Sequence, residues 1–307
     1  MGKDNSSWGR KQKISTFLVN NGWQEIITYS LVSAKEKNIF LTSSPKDFYH
    51  LLASKNENYC YYRQTLIPSH LKTIQYNLAH GSKNLLFFEI SSVYAPVPSG
   101  TSAEELLTLS ATGKIFNQPN YNLVQEMDLF WIKGTLENIF SLCLINEKIT
   151  FRPISLDQSP WLKVEIFLVQ EKIGYLGLQE NKETIFFAEI SLTKIFHYLT
   201  IFPDQLVYKT ISNFPTSEKD LSLSFPKNTD YNQVIKEIKR VGGENLTYLK
   251  IFDIYQNAEL VKKGQQSVSF HLVFQSATKT LEKSEVDQIL TNISAKMAEL
   301  FQAKIRR

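Results

Sequence analysis

The sequence predicts an α+β chain in two parts: an antiparallel sheet with helices in runs, then a compact β-α-β-β-α unit. Three observations carry this. Apolar residues change between helical and alternating spacing without the strict strand–helix–strand rhythm of a parallel sheet. Pro203 and Pro215 bracket a break near residues 200–213. The charge balance changes at the same place. Residues 1–208 hold 19 Lys+Arg against 19 Asp+Glu and residues 209–307 hold 15 against 11, so the whole surplus of +4 lies in the last third.

In the first part, Ile14, Phe17 and Leu18 form a short helical stripe that Asn20, Asn21 and Gly22 stop. Gln24 to Leu31, rich in Ile, Thr and Tyr, reads as one strand. Residues 32–58 are polar and weakly periodic, which suits a short helix and loops. Pro68 opens a helix whose buried stripe is Leu71, Ile74 and Leu78, with Gly81 after it. Leu85 to Tyr94 is a strand, Pro96, Pro98 and Gly100 make a turn region, and Leu106 to Thr112 is the next strand. Met127 to Leu144 reads as a helix with Ile132, Leu136, Ile139, Phe140 and Cys143 on one side, and Gly134 within it marks close packing. Leu162 to Gln170 and Lys172 to Leu178 form a hairpin, Thr184 to Glu189 follows, and Ser191 caps a short helix. Trp161, after Pro160, is a packing residue.

In the second part, Leu221 to Phe225 is a strand and Tyr231 to Val241 a helix with Val234, Ile235, Ile238 and Val241 inward. Leu246 to Gln256 is a strand whose apolar residues fall on both faces, so its inward side stays open. Ser267 to Gln275 alternates cleanly, with Val268, Phe270, Leu272 and Phe274 on one face. Glu282 to Ala303 is a long helix, opened by Glu282, Glu285 and Asp287 and closed by Lys304, Arg306 and Arg307 in keeping with its dipole. This order is a ferredoxin-like plan whose last strand is very short or supplied from before Leu221.

The composition, 43% hydrophobic and 21% charged, excludes a disordered or collagen-like chain. No uncharged apolar run reaches the length of a membrane span, and Met1 to Ser7 has no apolar core of a secretory signal. Cys60 and Cys143 make no disulfide framework, which suits a reducing cytoplasm. The glycines form neither G-x-G-x-x-G nor a P-loop. His50, His70, His80, His197 and His271 lack metal spacing, and G-x-S-x-G is missing. The carboxylates are scattered and suggest no catalytic pair, so no metal and no catalytic residue is expected. The basic last third suits a polyanion partner, or a solvated surface with a chance imbalance. Tyr248, Tyr255 and His271 are stacking platforms if exposed and edge or core groups otherwise.

Several segments, in order, resemble one family. Gly22 to Leu31 (GWQEIITYSL) resembles the "G-[FW]-x-E-[VI]-I-T-Y-S-[LF]" segment of the bacterial phenylalanyl-tRNA synthetase beta subunit. Tyr62 to Pro68 followed by Tyr76 to Leu78, Phe87 to Ile90 with Val93 and Tyr94, and Lys133, Gly134, Leu136 and Glu137 are similar to its later segments. So are Ile173 to Gly177, Phe214 and Pro215 with Lys219 to Leu221, and Phe252, Asp253 and Tyr255 with Ser267, Phe270, Phe274, Thr280 and Leu281. The likeness covers nearly all of residues 10–307 and begins at the family's C-terminal half.

The resemblance implies a class II synthetase-like antiparallel sheet with helices over residues 1–205, as a catalytic-like, non-catalytic module. It implies a ferredoxin-fold anticodon-binding domain, an α+β sandwich, over residues 209–307. The expected function is that of a beta-type subunit of phenylalanine–tRNA ligase. It would pair with the catalytic alpha subunit in a heterotetramer of two alpha and two beta chains and bind tRNA. The alternative is a free-standing RNA-binding module derived from that subunit. ATP and Mg are expected in the alpha subunit, and no cofactor in this chain. The strand Phe87 to Tyr94 lacks the arginine that a class II site places on its second motif, and G-x-G-x-G-x-x-R occurs nowhere, so adenylate formation is not expected. Lys219, Lys250, Tyr255, Lys262, Lys263, His271 and Arg306 are the expected tRNA contacts. Lys219 stands where the family has arginine and keeps the charge without the planar fork. Asp157 to Trp161 replaces the family's "H-P-G" loop, and Glu282 stands where a capping threonine is usual. For the partner interface, the segments Ile14 to Leu31 and Pro68 to Ala79 are the candidates.

Overall fold

The computed structural model describes residues 6–36, 48–51, 56–97, 100–118, 120, 123–155, 159–180, 182–203, 211–257, 260, 262 and 264–305. The chain divides into two compact units, Met1–Gln205 and Leu206–Arg307. Among the described residues no helix is long and apolar enough to cross a membrane.

Unit 1 is built on a seven-stranded sheet in the order β1-β4-β5-β11-β10-β9-β8. These strands are β1 Gln24–Glu25, β4 Leu85–Val97, β5 Gly100–Thr112, β8 Ile149–Pro153, β9 Leu162–Leu168, β10 Glu171–Gln179 and β11 Ile185–Ser191. Only the β1–β4 pair is parallel. Two small ribbons accompany it, β2 Leu31–Val32 with β3 Tyr61–Tyr62 and β6 Lys114–Gln118 with β7 Leu123–Glu126.

Helices cover both faces, and strand alternation decides which residue goes where. Ile14 and Leu18 of α1 (Ser7–Asn20), Ile132, Leu136, Ile139 and Phe140 of α3 (Leu129–Leu142), and Ile195 and Leu199 of α4 (Leu192–Ile201) share one core with Phe88, Leu109 and Ala188. On the other face, Ile67, Leu71 and Ile74 of α2 (Ile67–Ala79) pack on Phe87, Ile185 and Phe187. Caps set the helix starts. The Ser6, Asp128 and Ser191 side chains accept from Gly9, Trp131 and Lys194 amides at 3.1, 2.7 and 3.1 Å. Gly174 and Gly177 let β10 approach its neighbours, since a Cβ would lie 2.1 Å from the Glu189 carbonyl and 2.5 Å from that of Trp161.

Several expectations change. The strand Gln24 to Leu31 is broken: two residues pair with β4, then a side-chain clamp replaces the ladder. β4 runs on through Pro96 to Val97 and β5 starts at Gly100. β1 pairs only with Phe87 and Phe88, so Pro96 needs no N–H on the open side. The helix Met127 to Leu144 is shorter because Asp128 caps it and Leu144 turns left-handed at φ 57°. Gly134 marks no close packing, as a Cβ there would meet nothing within 4 Å. The strand Leu162 to Gln170 stops at Leu168, and Val169 takes φ 59° in the turn to β10. The β6–β7 hairpin and β8 went unseen in the sequence.

Unit 2 holds β12 Ser217–Pro226, α5 Tyr231–Gly242, β13 Leu246–Tyr255, β14 Gln265–Phe274, α6 Lys283–Phe301 and β15 Lys304–Ile305. Its sheet order is β13-β14-β12-β15, all antiparallel. The ferredoxin-like plan therefore closes with a very short last strand. Val234 and Ile238 of α5 and Val286, Ile293 and Met297 of α6 pack on Leu223, Phe225, Phe270 and Leu272.

The mixed pattern of β13 has a cause. Bulges between Leu246 and Tyr248 and between Ile251 and Asp253 each insert a residue, so Leu246, Leu249 and Ile251 face the core without period-2 spacing. α6 is capped by Glu282 in a reciprocal box with Glu285, which serves in place of a capping threonine. The helix ends at Phe301, where Gln302 takes φ 54°, so Lys304 lies in β15 and not in the closing turn. Arg306 and Arg307 lie outside the described residues, as do residues 156–158 of the replaced loop.

Candidate partner-binding edge and nucleic-acid interface

The scattered carboxylates of the sequence meet in the fold. Register places Glu89 of β4, Thr108 of β5, Glu189 of β11 and Tyr175 of β10 in one row across the sheet of unit 1. Glu89, Thr108 and Glu189 are buried. Arg63, from the connection between β3 and α2, is the cation of this row. Its Nη2 donates to Glu89 Oε1 and Ser91 Oγ, both at 2.8 Å, and its Nη1 donates to Thr28 Oγ1 at 2.5 Å. Thr28 Oγ1 donates in turn to Glu89 Oε2 at 2.6 Å. His70 of α2 stands with Nδ1 2.7 Å from Ser110 Oγ and Nε2 3.4 Å from Glu89 Oε2. Glu189 accepts from the Leu66 amide and Thr108 at 2.8 Å each and from the Tyr175 hydroxyl at 2.7 Å.

The electrostatics follow from these contacts. Burial alone would raise the Glu89 pKa; His70, Thr28 and the Arg63 guanidinium outweigh it and hold the carboxyl below its ordinary range. Burial pushes the Tyr175 phenol well above its ordinary range, and Glu189 adds to the effect. The middle of this sheet face is thus filled by the chain's own side chains, with the Arg63 guanidinium bound inward. Among the described residues no group of three His, Cys, Asp or Glu could hold a metal ion.

The clamp also shapes the edge of the sheet. Thr28 points inward to Glu89, so Ile27 and Tyr29 on either side point out, 92% and 67% exposed. Tyr29 packs against Tyr59 at 5.1 Å between ring centroids, and Tyr76 on α2 is exposed as well.

In unit 2 the face of the sheet opposite α5 and α6 carries Lys250 and Tyr248 on β13, His271 on β14 and Glu218 and Asp220 on β12. Lys250, His271 and Asp220 oppose one another across three strands. His271 is engaged, with Nδ1 2.8 Å from Asp220 Oδ1 and Nε2 3.8 Å from Glu218 Oε2. Tyr255 is exposed near the end of β13, and Lys262 is exposed in the connection to β14. Lys219 lies on the helix side of β12, 3.8 Å from Asp287 of α6. The structure therefore brings Lys250 and His271 together and sets Lys219 apart from them. Lys263 and Arg306 lie outside the described residues.

Sequence reasoning missed Arg63, Glu89, Glu189 and Tyr175. The available signal was a carboxylate inside an apolar strand run, at Phe87 to Ile90 and again at Ala188 to Ile190.

Comparison with known proteins matches this two-part plan. Residues 1–181 fit the family described as phenylalanyl tRNA synthetase beta chain CLM domain, and residues 212–306 fit the ferredoxin-fold anticodon binding domain. The phenylalanine–tRNA ligase beta subunit of Bacillus cereus is 27% identical over 317 aligned residues, covering 100% of this chain and 39% of that protein. The corresponding subunit of Photorhabdus laumondii is 28% identical, covering 96% and 38%. The chain thus spans about two fifths of the length of the curated relatives it matches. Among solved structures, a pyrrolysyl-tRNA synthetase from Desulfitobacterium hafniense overlays at TM-score 0.47 with 12% identity, covering 65% of this chain and 71% of that one. With the first family matching more than half of its residues, the chain belongs to the phenylalanyl-tRNA synthetase beta chain family.

Proposed function

We propose that this chain acts as the beta-type part of a cytoplasmic phenylalanine–tRNA ligase and does not itself activate phenylalanine. Residues 1–205 pair with a catalytic alpha subunit, which holds ATP and Mg, in an assembly of two alpha and two beta chains. Residues 209–307 hold tRNA. The observation that carries the non-catalytic reading is the filled sheet face, where Arg63 is bound to Glu89, Ser91 and Thr28. A guanidinium held inward by a carboxylate is not available to stabilise charge on a phosphate. The uncovered face of unit 2, with Lys250, Tyr255 and His271, and the exposed Lys262 in the connection to β14 support the tRNA reading, and Lys263 and Arg306 extend the same set in sequence. Lys219 reaches tRNA only by leaving Asp287.

Co-expression with the alpha subunit of the same organism tests this. The expected result is a stable complex on size exclusion, no ATP–pyrophosphate exchange by this chain alone, and tRNA retention on filters that weakens as salt rises. Exchange by the isolated chain overturns the non-catalytic reading. Failure to associate while tRNA binding persists favours the free-standing RNA-binding module.

A further inference from the structure

We propose that Arg63, Glu89 and Thr28 are positioning residues that hold the segment 26–30 extended, so that Ile27 and Tyr29 meet a neutral, apolar protein surface on the partner subunit. This rests on the reading that unit 1 pairs with an alpha-type chain.

The geometry of the segment carries the inference. Ladder pairing with β4 covers only Gln24 and Glu25, yet bonds to β4 continue as far as Thr28. It is held by a backbone bond from Ile26 to the Phe88 carbonyl at 2.9 Å and by the Thr28 amide donating to Glu89 Oε1 at 3.3 Å. The Arg63 amide donates to the Ser30 carbonyl at 3.1 Å, while the guanidinium and Glu89 both grip the Thr28 hydroxyl. Side chains thus do what a strand partner would otherwise do.

What the clamp presents is an exposed, uncharged edge. Among the described residues the Ile27 and Tyr29 amides make no backbone hydrogen bond. Residues 26–32 carry no charge, so the occupant is a neutral protein surface and not a polyanion. Ordering such a segment only on binding would cost about 1–2 kcal/mol for each residue fixed, and the clamp removes that cost in advance. A buried ion pair is a weak source of net stability, while setting register is its better attested use. Arg63 and Glu89, each 1% exposed, fit that use.

The test compares Thr28→Val, Thr28→Ser and Ile27→Ser in the full chain, mixed with the alpha subunit. Affinity is measured by sedimentation, and amide exchange at Ile26, Thr28 and Arg63 is measured on the same samples. Thr28→Val should weaken association about tenfold, as expected for a lost hydrogen bond to a charged group. It should speed exchange at those three amides while α2 and β5 keep their protection. Thr28→Ser, which retains the hydroxyl, should restore both. Exchange that quickens with no change in affinity overturns the proposal, and so does protection lost throughout unit 1. If Ile27→Ser also binds like the parent, the pairing surface itself is misplaced. If only Thr28→Val does, the surface stands and the clamp falls.

Discussion

Replacing Arg63 with methionine removes the cation of the buried row and keeps most of its apolar stem. Three hydrogen bonds go, at 2.5, 2.8 and 2.8 Å, and Glu89 remains buried without the guanidinium that paired it. Breaking a buried pair by removing one partner costs about 3–5 kcal/mol, most of it the penalty of the charge left behind. With a urea dependence of about 2 kcal/mol per molar, the midpoint of unfolding should fall by about 2 M. All four tryptophans, Trp8, Trp23, Trp131 and Trp161, lie in unit 1, so indole fluorescence follows that unit alone. The double variant Arg63→Met/Glu89→Met should recover most of the loss, because no orphan charge remains.

Acid should shrink the difference between parent and Arg63→Met. The Glu89 pKa is depressed in the folded state, so its contribution is complete above the ordinary carboxylate range and is lost as pH falls through the depressed value. A midpoint shift under about 0.5 M for the single variant, equivalent to about 1 kcal/mol, would refute the account. So would a double variant as unstable as the single one.

Three further outcomes follow from particular positions. Gly134→Ala on α3 should stabilise unit 1 by about 1 kcal/mol, since the helix gains propensity and the new methyl meets open space; thermal melting reads it. Val169→Asn should also stabilise, by about 1 kcal/mol, because a β-branched residue is held at φ 59° in the β9–β10 turn; urea midpoints report the change. Lys250→Ala should weaken tRNA binding and reduce the slope of log K against log salt by about 1, the signature of one lost phosphate contact, and an unchanged slope would remove Lys250 from the interface.

Much of the fold was legible because its signals are local. Ser191 sits one residue before a helical stripe, and it caps α4 as its position suggested. The alternation of Val268, Phe270, Leu272 and Phe274 placed β14 face by face. Where the reading failed, the deciding partner was distant in sequence. The strand after Gly22 is cut short by Glu89, 61 residues beyond Thr28. The inward side of β13 depends on two bulges that period-2 reasoning does not register. Gly134 looked like a packing residue because glycine inside a helix costs stability, yet only the neighbours in space could say whether anything lies against it.

The clamp shows the same limit at the level of function. Arg63 lies in one quoted segment of the family likeness, Thr28 in another and Glu89 in a third, so each was in view as part of a pattern. Their joint role depends on β1 running parallel to β4, which brings residues 28, 63 and 89 to one point. A carboxylate within an apolar strand is the sign to look for. It cannot stay buried and ionised without a partner, so Glu89 required a cation or several donors from elsewhere in the chain. Arg63 sits in the connection before α2, and its pairing with Glu89 joins the filled sheet face to the exposed edge. A single ion pair therefore both occupies this sheet face of unit 1 and holds the segment proposed to meet a partner.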